Sequence, residues 1–134
     1  MLEGQMKIRG YPVPKGSKRA FVTKNLQAVI VDQRHKELRA WESAVKLVCN
    51  AQWEGPPLEG PVQVELNFAL LKPKSAPKNR LYPDKRPDLD KLVRAVLDGL
   101  KGVCYRDDGQ VVELNATKEF DEEPGVSIIV RQTS

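Results

Sequence analysis

The sequence predicts an α+β (mixed α/β) fold, a single compact domain with a sheet of about five strands and two main helices on one face. Residues 62–70 alternate apolar and polar side chains, which is typical of a strand with one buried face. Residues 89–100 repeat apolar side chains at helical spacing and predict an amphipathic helix. The length of 134 residues suits one domain that spans residues 1–134 and buries its own core.

The N-terminal half predicts a strand, a hairpin and a long helix. Residues 6–10 predict the first strand. Residues 28–31 form a short apolar run, which we interpret as a strand paired with residues 20–22 across a turn at 23–27. A helix is predicted from about residue 33 to residue 51, because its apolar side chains fall on one face. The tryptophan on that face belongs to the predicted core.

The C-terminal third predicts the remaining strands. Residues 112–120 alternate and predict a strand that returns from the amphipathic helix. Residues 126–130 alternate again after a turn at 121–125, and we expect them to form the antiparallel partner of 112–120.

Composition and single residues exclude several classes of protein. The chain has no signal pattern and no apolar run of membrane-spanning length, so we expect a cytoplasmic protein without membrane association. Cys49 and Cys104 are isolated and lack zinc-ligand spacing, which favours two buried thiols. His35 is the one histidine, and its charged surroundings indicate a solvated side chain. The net charge of +4 is too small to establish a nucleic-acid partner by itself.

Acidic residues gather at both ends of the predicted helix 89–100. Asp88 follows a proline and is a good N-cap, whose carboxylate can accept a backbone N–H, and Gly102 is a natural stop. Asp90 lies on the flank of the apolar stripe, in line with Arg94 one turn later. Asp108 follows in a turn before the strand 112–120, and we expect it to return to the helix start.

Convergence of Asp88, Asp90 and Asp108 requires a counterion, because carboxylates at close range repel each other. Oxygen ligands without histidine or cysteine favour a hard ion such as Mg²⁺. A simpler interpretation stays open, in which Asp88 is only a cap, Asp90 pairs with Arg94 and the Asp-Asp-Gly segment is only a turn.

The segment 72–86 carries six basic residues, one acid and three prolines, which suits contact along a phosphate backbone better than packing in a core. Residues 15–24 carry further basic residues without an acid. Either segment is also consistent with a solvated loop or edge strand. The candidate DNA-binding side chains from these segments and from the strand 112–120 are Lys15, Lys18, Arg19, Lys74, Lys78, Arg80 and Lys118.

These residues together resemble the RusA family of Holliday junction resolvases, small Mg²⁺-dependent endonucleases common in phages and prophages. The resemblance is carried by Pro-Asp-x-Asp at 87–90, the basic Arg94, Asp-Gly-Leu at 98–100, and Asp-Asp-x-Gln-Val-Val at 107–112 followed by Lys118. The Pro- and Lys-rich stretch at residues 10–19 resembles the family more weakly.

The resemblance implies that Asp88, Asp90 and Asp108 are catalytic and hold Mg²⁺, or Mn²⁺ in its place. Asp107 would be an auxiliary ligand. Arg94 occupies the position of a lysine that the family uses in catalysis, and Lys91 stands where the family usually has asparagine. Arginine keeps the positive charge but does not readily release a proton.

The expected function is Mg²⁺-dependent resolution of Holliday junctions by paired nicks, in DNA recombination and repair. The expected partner is branched DNA with four arms, bound by a homodimer whose two-fold symmetry matches the junction. Two alternatives stay open: a less structure-selective flap or branched-DNA nuclease, and a junction-binding protein with weak or no catalysis, which is suggested by arginine at position 94.

Overall fold

A computed structural model describes residues 3–16 and 25–133, with side chains from residue 35 onward in the second range. The predicted strand 20–22, Lys18 and Arg19 lie outside these residues. None of the described helices is long and apolar enough to cross a bilayer. The elements in chain order are β1 (Glu3–Arg9), α1 (Asn25–Gln52), β2 (Val62–Leu70), α2 (Leu89–Leu100), a 3-10 turn (Asp108–Gln110), β3 (Val111–Phe120) and β4 (Gly125–Gln132).

The described strands form one mixed sheet in the order β1-β4-β2-β3. β4 pairs antiparallel with both β1 and β2, and β3 runs parallel to β2 at the edge. The α+β class and the strand at 62–70 are confirmed, with four strands over residues 3–16 and 25–133 where about five were expected.

The predicted pairing of 112–120 with 126–130 is wrong, because β2 separates these strands. Asp121 follows β3, and its backbone N–H donates to the carbonyl of Leu70 at the end of β2, at 2.9 Å. The chain therefore crosses the end of β2 between β3 and β4, which lie on opposite sides of β2. The sequence of β4 suits its inner position in the sheet, and that of β3 suits its edge position. Ile128 is buried between neighbours on both sides, whereas β3 is mostly exposed, as polar edge strands are.

Both helices cover the same face of the sheet and enclose the core. The β2 side chains on that face are fully buried, and the alternate ones are partly exposed on the open face. α1 packs on α2 and on β1, and α2 packs beside β3. Trp41 belongs to this core at 5% exposure, and Cys49 and Cys104 are buried free thiols, as expected.

The helix predicted from residue 33 begins earlier, at Asn25, so the predicted strand 28–31 is wrong. A short apolar run such as 28–31 fits a strand and a buried helical turn equally well when periodicity is the only guide. The continuous α1 therefore replaces both the second half of the expected hairpin and the expected break before the helix.

The segment after β1 joins the two helices through Lys15. Its backbone N–H donates to the carbonyl of Lys91 at 3.0 Å. Its ammonium donates to Asp98 Oδ2 of α2 at 2.5 Å and to Glu42 Oε2 of α1 at 3.3 Å. The hydrogen bond with Asp98 raises the pKa of Lys15 despite the opposing effect of burial. The side chain predicted to contact DNA is thus already engaged by two carboxylates.

Lys15→Met should lower the free energy of unfolding by about 1 kcal/mol at pH 7, since the pairs are partly exposed. The raised folded-state pKa means that this stabilisation is complete below the ordinary value of 10.5 and is lost as the pH rises through the folded value. Urea unfolding at pH 7 and pH 11 measures both effects. Lys7→Met, on the open face of β1, is the matched control and should change little; an equal loss in both variants would contradict the assignment.

Candidate active site

Two carboxylates project from the start of α2. Asp88 is the N-cap residue, and its carbonyl accepts the N–H of Leu92 at 3.1 Å. Its side chain, however, makes no capping hydrogen bond and is 51% exposed, in contrast to the predicted cap. Asp90, in the first turn, is also exposed. Both carboxylates are therefore available to a ligand from solvent.

Two cations lie beside these acids, and only Lys91 forms an ion pair with one of them. The ammonium of Lys91 lies 3.6 Å from Asp88 Oδ2, an i,i+3 ion pair on the helix surface. Arg94 is exposed and makes no ion pair or side-chain hydrogen bond with any residue of the described ranges. The simpler interpretation, in which Asp90 pairs with Arg94, does not hold for the described structure. The guanidinium is left available next to the acidic pair.

A cleft of about 570 Å³ opens beside Asp88, between the segment after β1, α1 and the start of α2. Lys91, His35 and Arg86 line it together with apolar side chains of the first segment. His35 is exposed, as predicted, but its position in this cleft was not. Arg86 was also missed as a binding candidate, although its place two residues before Asp88 is a signal in the sequence.

Asp108 lies at the other end of α2. The hydroxyl of Tyr105 is 3.3 Å from both Asp108 Oδ1 and the carbonyl of Leu97. Leu97 is nine residues beyond Asp88, or about 13 Å along a helix axis. No cluster of three candidate metal-binding side chains occurs among the described residues. The fold therefore brings Asp88 and Asp90 together but does not bring Asp108 to them within one chain.

The topology explains this separation. β3 begins near the C-terminal end of α2 and only then runs back parallel to β2. Asp108 precedes β3, so it stays at the end where α2 finishes. Convergence would have required the acid to follow the strand.

The turn that carries Asp108 is held by its neighbours. Asp107 and Gln110 form a capping box across the 3-10 turn, and Lys101 lies 4.0 Å from Asp107. The amide of Gln110 accepts the N–H groups of Arg106 and Asp107 at 2.8 and 2.9 Å. Its two N–H groups donate to the carbonyls of Leu58 and Gly60, both at 2.9 Å. Gln110 thus uses its full hydrogen-bonding capacity to fix this turn.

The buried Tyr105 side chain contacts Asp108 through its hydroxyl. Burial raises the pKa of the Tyr105 phenol, and the negative charge of Asp108 raises it further. The hydroxyl therefore keeps its proton at physiological pH and donates it toward Asp108 or the carbonyl of Leu97. Sequence reasoning missed Tyr105 and Gln110, because their partners are set by the fold.

The basic segment 72–86 contains no helix or strand but is held against the end of β3. The ammonium of Lys72 and the guanidinium of Arg80 lie 5.8 and 5.5 Å from the ring centroid of Phe120. Arg80 also pairs with Asp84 at 3.0 Å. Lys74 and Lys78 are exposed, and their ammonium groups make no hydrogen bond or ion pair with the described residues. The segment thus presents these two lysines freely and uses Arg80 in its own packing.

Lys118 reaches the same segment from β3. Its ammonium donates to the carbonyl of Lys85 at 2.7 Å and to that of Pro87 at 2.8 Å, directly before Asp88. The predicted DNA-binding side chain is therefore half-buried and bound to backbone, next to the acidic pair.

Two comparisons with known proteins identify the family of this chain. The family model described as endodeoxyribonuclease RusA matches residues 10–131, which include α1, β2, α2, β3 and all but the last residue of β4. The chain is also 29% identical over 137 residues to the uncharacterized protein YqaN of Bacillus subtilis (strain 168), covering 95% of this chain and 94% of that protein. The chain therefore belongs to the RusA family of endodeoxyribonucleases, enzymes that bind branched DNA and resolve Holliday junctions.

Proposed function

We propose that this enzyme resolves Holliday junctions by paired, Mg²⁺-dependent nicks, as a homodimer acting on branched DNA in the cytoplasm, and that residues 1–134 form one such domain. The proposal is carried by two exposed carboxylates at the start of α2, Asp88 and Asp90, of which Asp88 makes no capping hydrogen bond. A carboxylate used only as a helix cap would accept a backbone N–H, and Asp88 does not.

The donor set of Asp88 and Asp90 fits a hard divalent ion, since it consists of carboxylate oxygens open to solvent. Mg²⁺, or Mn²⁺ in its place, would activate water and stabilise charge on the reacting phosphate. Arg94, one turn beyond Asp90, would neutralise the phosphate that approaches this end of α2. Its side chain is a fixed cation and serves better in charge stabilisation than in proton transfer.

Asp108 supports the homodimer part of the proposal. It is about one helix length from Asp88 in its own chain, so it completes a three-carboxylate site best by meeting the helix start of a second copy. The strand that follows it is an edge strand, on which Val112 and Leu114 are 61% and 43% exposed. These two neighbouring apolar side chains, on a strand edge that is unpaired in the described structure, would suit contact with a second copy. Asp107 would then support Asp108 through the turn.

The phosphate contacts are proposed for the free cations. Three of these cations precede Asp88 in the sequence: Lys74 and Lys78 on the basic segment, and Arg86 in the cleft. Lys15 and Arg80 contribute charge near the DNA while remaining in their ion pairs. Lys18 and Arg19, which lie outside the described residues, extend the same basic stretch.

Asp88→Asn and Asp90→Asn should each lower the cleavage rate by on the order of 10²–10³-fold or more, because each loses a carboxylate that would hold the metal ion. Binding of a four-way junction without metal should hold or tighten, since a carboxylate next to phosphate repels it. Gel-shift titration in EDTA and nicking assays with Mg²⁺ measure the two effects. Glu113→Gln, an exposed acid on the open face of β3, is the control.

Loss of binding and cleavage together would contradict the roles of Asp88 and Asp90. Equal nicking of flaps, forks and junctions would favour the less selective nuclease. Absence of nicking by the wild-type enzyme on every substrate would favour the junction-binding protein without catalysis.

Mixing Asp90→Asn with Asp108→Asn chains during refolding should restore nicking that neither variant shows alone. In a two-fold dimer with sites shared between chains, the mixed dimer keeps one intact site and places both substitutions in the other. The products should be single nicks, because paired cleavage needs both sites. No recovery, with mixed dimers demonstrated by mass spectrometry, would place all three acids of a site on one chain.

Lys74→Ala/Lys78→Ala should weaken junction binding and reduce the slope of log K against log salt by up to about 1.8, or about 0.9 for each phosphate released. The positions of the nicks should not change, since phosphate contacts do not read bases. Lys7→Ala is the control, because Lys7 is exposed on the opposite face of the sheet. An unchanged slope in the double variant would show that the segment is only a solvated connection.

A further inference from the structure

Lys118 differs from the free lysines of the basic segment in what surrounds it. On β3 it is the register partner of Phe68, so its stem lies on the face of the sheet that carries the core. The side chain is half-buried, and its ammonium donates to the carbonyls of Lys85 and Pro87 at 2.7 and 2.8 Å. Two of its three N–H groups are therefore already used within the protein.

The two carbonyls belong to the backbone that leads into Asp88. The carbonyl of Pro87 is part of the peptide group joined to the nitrogen of Asp88, so holding this oxygen fixes the plane from which the Asp88 side chain departs. No helix or strand includes residues 85–88, and the Asp88 carboxylate makes no capping bond that would hold it instead. Lys118 is thus a tertiary anchor of this peptide in the described structure.

The ammonium supplies this anchor without occupying the carboxylate. An N-cap that used its own side chain would consume the oxygen that a metal needs. Charge-assisted hydrogen bonds from Lys118 on β3 hold the same backbone without using either Asp88 carboxylate oxygen. Pro87 and Lys85 lie 31 and 33 residues before Lys118 in the sequence. These hydrogen bonds therefore depend on the fold and not on the local sequence at the helix start.

We propose that Lys118 is a positioning residue that orients Asp88, and that it does not contact the DNA backbone. The inference rests on the proposed role of Asp88 in metal binding, but the anchoring itself is testable without any cleavage. Lys118 acts through the peptide of Pro87 and Asp88, whereas Lys74 and Lys78 act on phosphate directly.

The first test uses the wild-type protein and amine acetylation read by mass spectrometry, with and without a four-way junction in EDTA. Lys118 should react slowly in both states, because its ammonium is held by two carbonyls. Lys74 and Lys78 should react readily in the free protein and be protected by the junction. Rapid labelling of Lys118 that DNA suppresses would overturn the proposal. Lack of protection at Lys74 and Lys78 would count against the proposed DNA contacts and leave the assignment of Lys118 intact.

The second test compares Lys118→Met with Lys74→Met, which remove the same charge from different surroundings. Lys118→Met should raise amide hydrogen exchange about tenfold at Asp84 and Leu92, whose N–H groups donate to the carbonyls of Tyr82 and Asp88. It should leave the salt slope of junction binding unchanged. It should also raise the Mg²⁺ concentration needed for half-maximal nicking several-fold. Lys74→Met should lower the slope by about 0.9 without affecting exchange. A slope change in Lys118→Met with unaltered exchange would instead identify a phosphate contact.

Discussion

The close approach of α2 to α1 at Gly99 is the contact on which the placement of the acids depends. A Cβ atom at Gly99 would lie 2.9 Å from Cβ of Val45 and 2.5 Å from its Cγ1, so only glycine allows this packing. Glycine inside a helix costs about 0.5–1 kcal/mol relative to alanine, and the buried contact with Val45 is what it gains. With this face fixed, Asp98 meets Lys15, and Asp90 and Arg94 on the same flank of α2 stay exposed.

The length of α2 then determines what one chain can assemble. Its twelve residues separate the carboxylates at its start from Asp108, which Tyr105 ties to the last part of the helix. This separation reduces the repulsion that three clustered carboxylates would cause in the unbound protein. It also means that a cation alone cannot draw Asp108 to Asp88 without moving β3. The shared site of the proposed dimer would leave the fold of each chain unchanged.

The sequence predicted the local features well, and the nonlocal ones poorly, for a physical reason. Apolar periodicity reports which face of a segment is buried, so α2 and β2 follow from it. Pairing is not encoded in periodicity: β4 alternates in the same way whether its neighbour is β3 or, as observed, β1 and β2. The position of Asp108 depends on that strand order, and so do the partners of Gln110 and Lys118. The strand expected at 28–31 failed because a short apolar run carries no period of its own.

The basic residues show why charge in a sequence overstates the surface offered to DNA. Lys15 holds two helices through carboxylates, Arg80 packs over Phe120, and Lys118 holds backbone carbonyls. Each of these cations would be costly to redirect, because its partners would be left without a donor or counterion. The ammonium groups of Lys74 and Lys78 have no such partners among the described residues. The electrostatic attraction for branched DNA is therefore shared by many cations, since their charge acts over about a Debye length. The cations proposed for direct phosphate contact are the few whose hydrogen bonds are not already made.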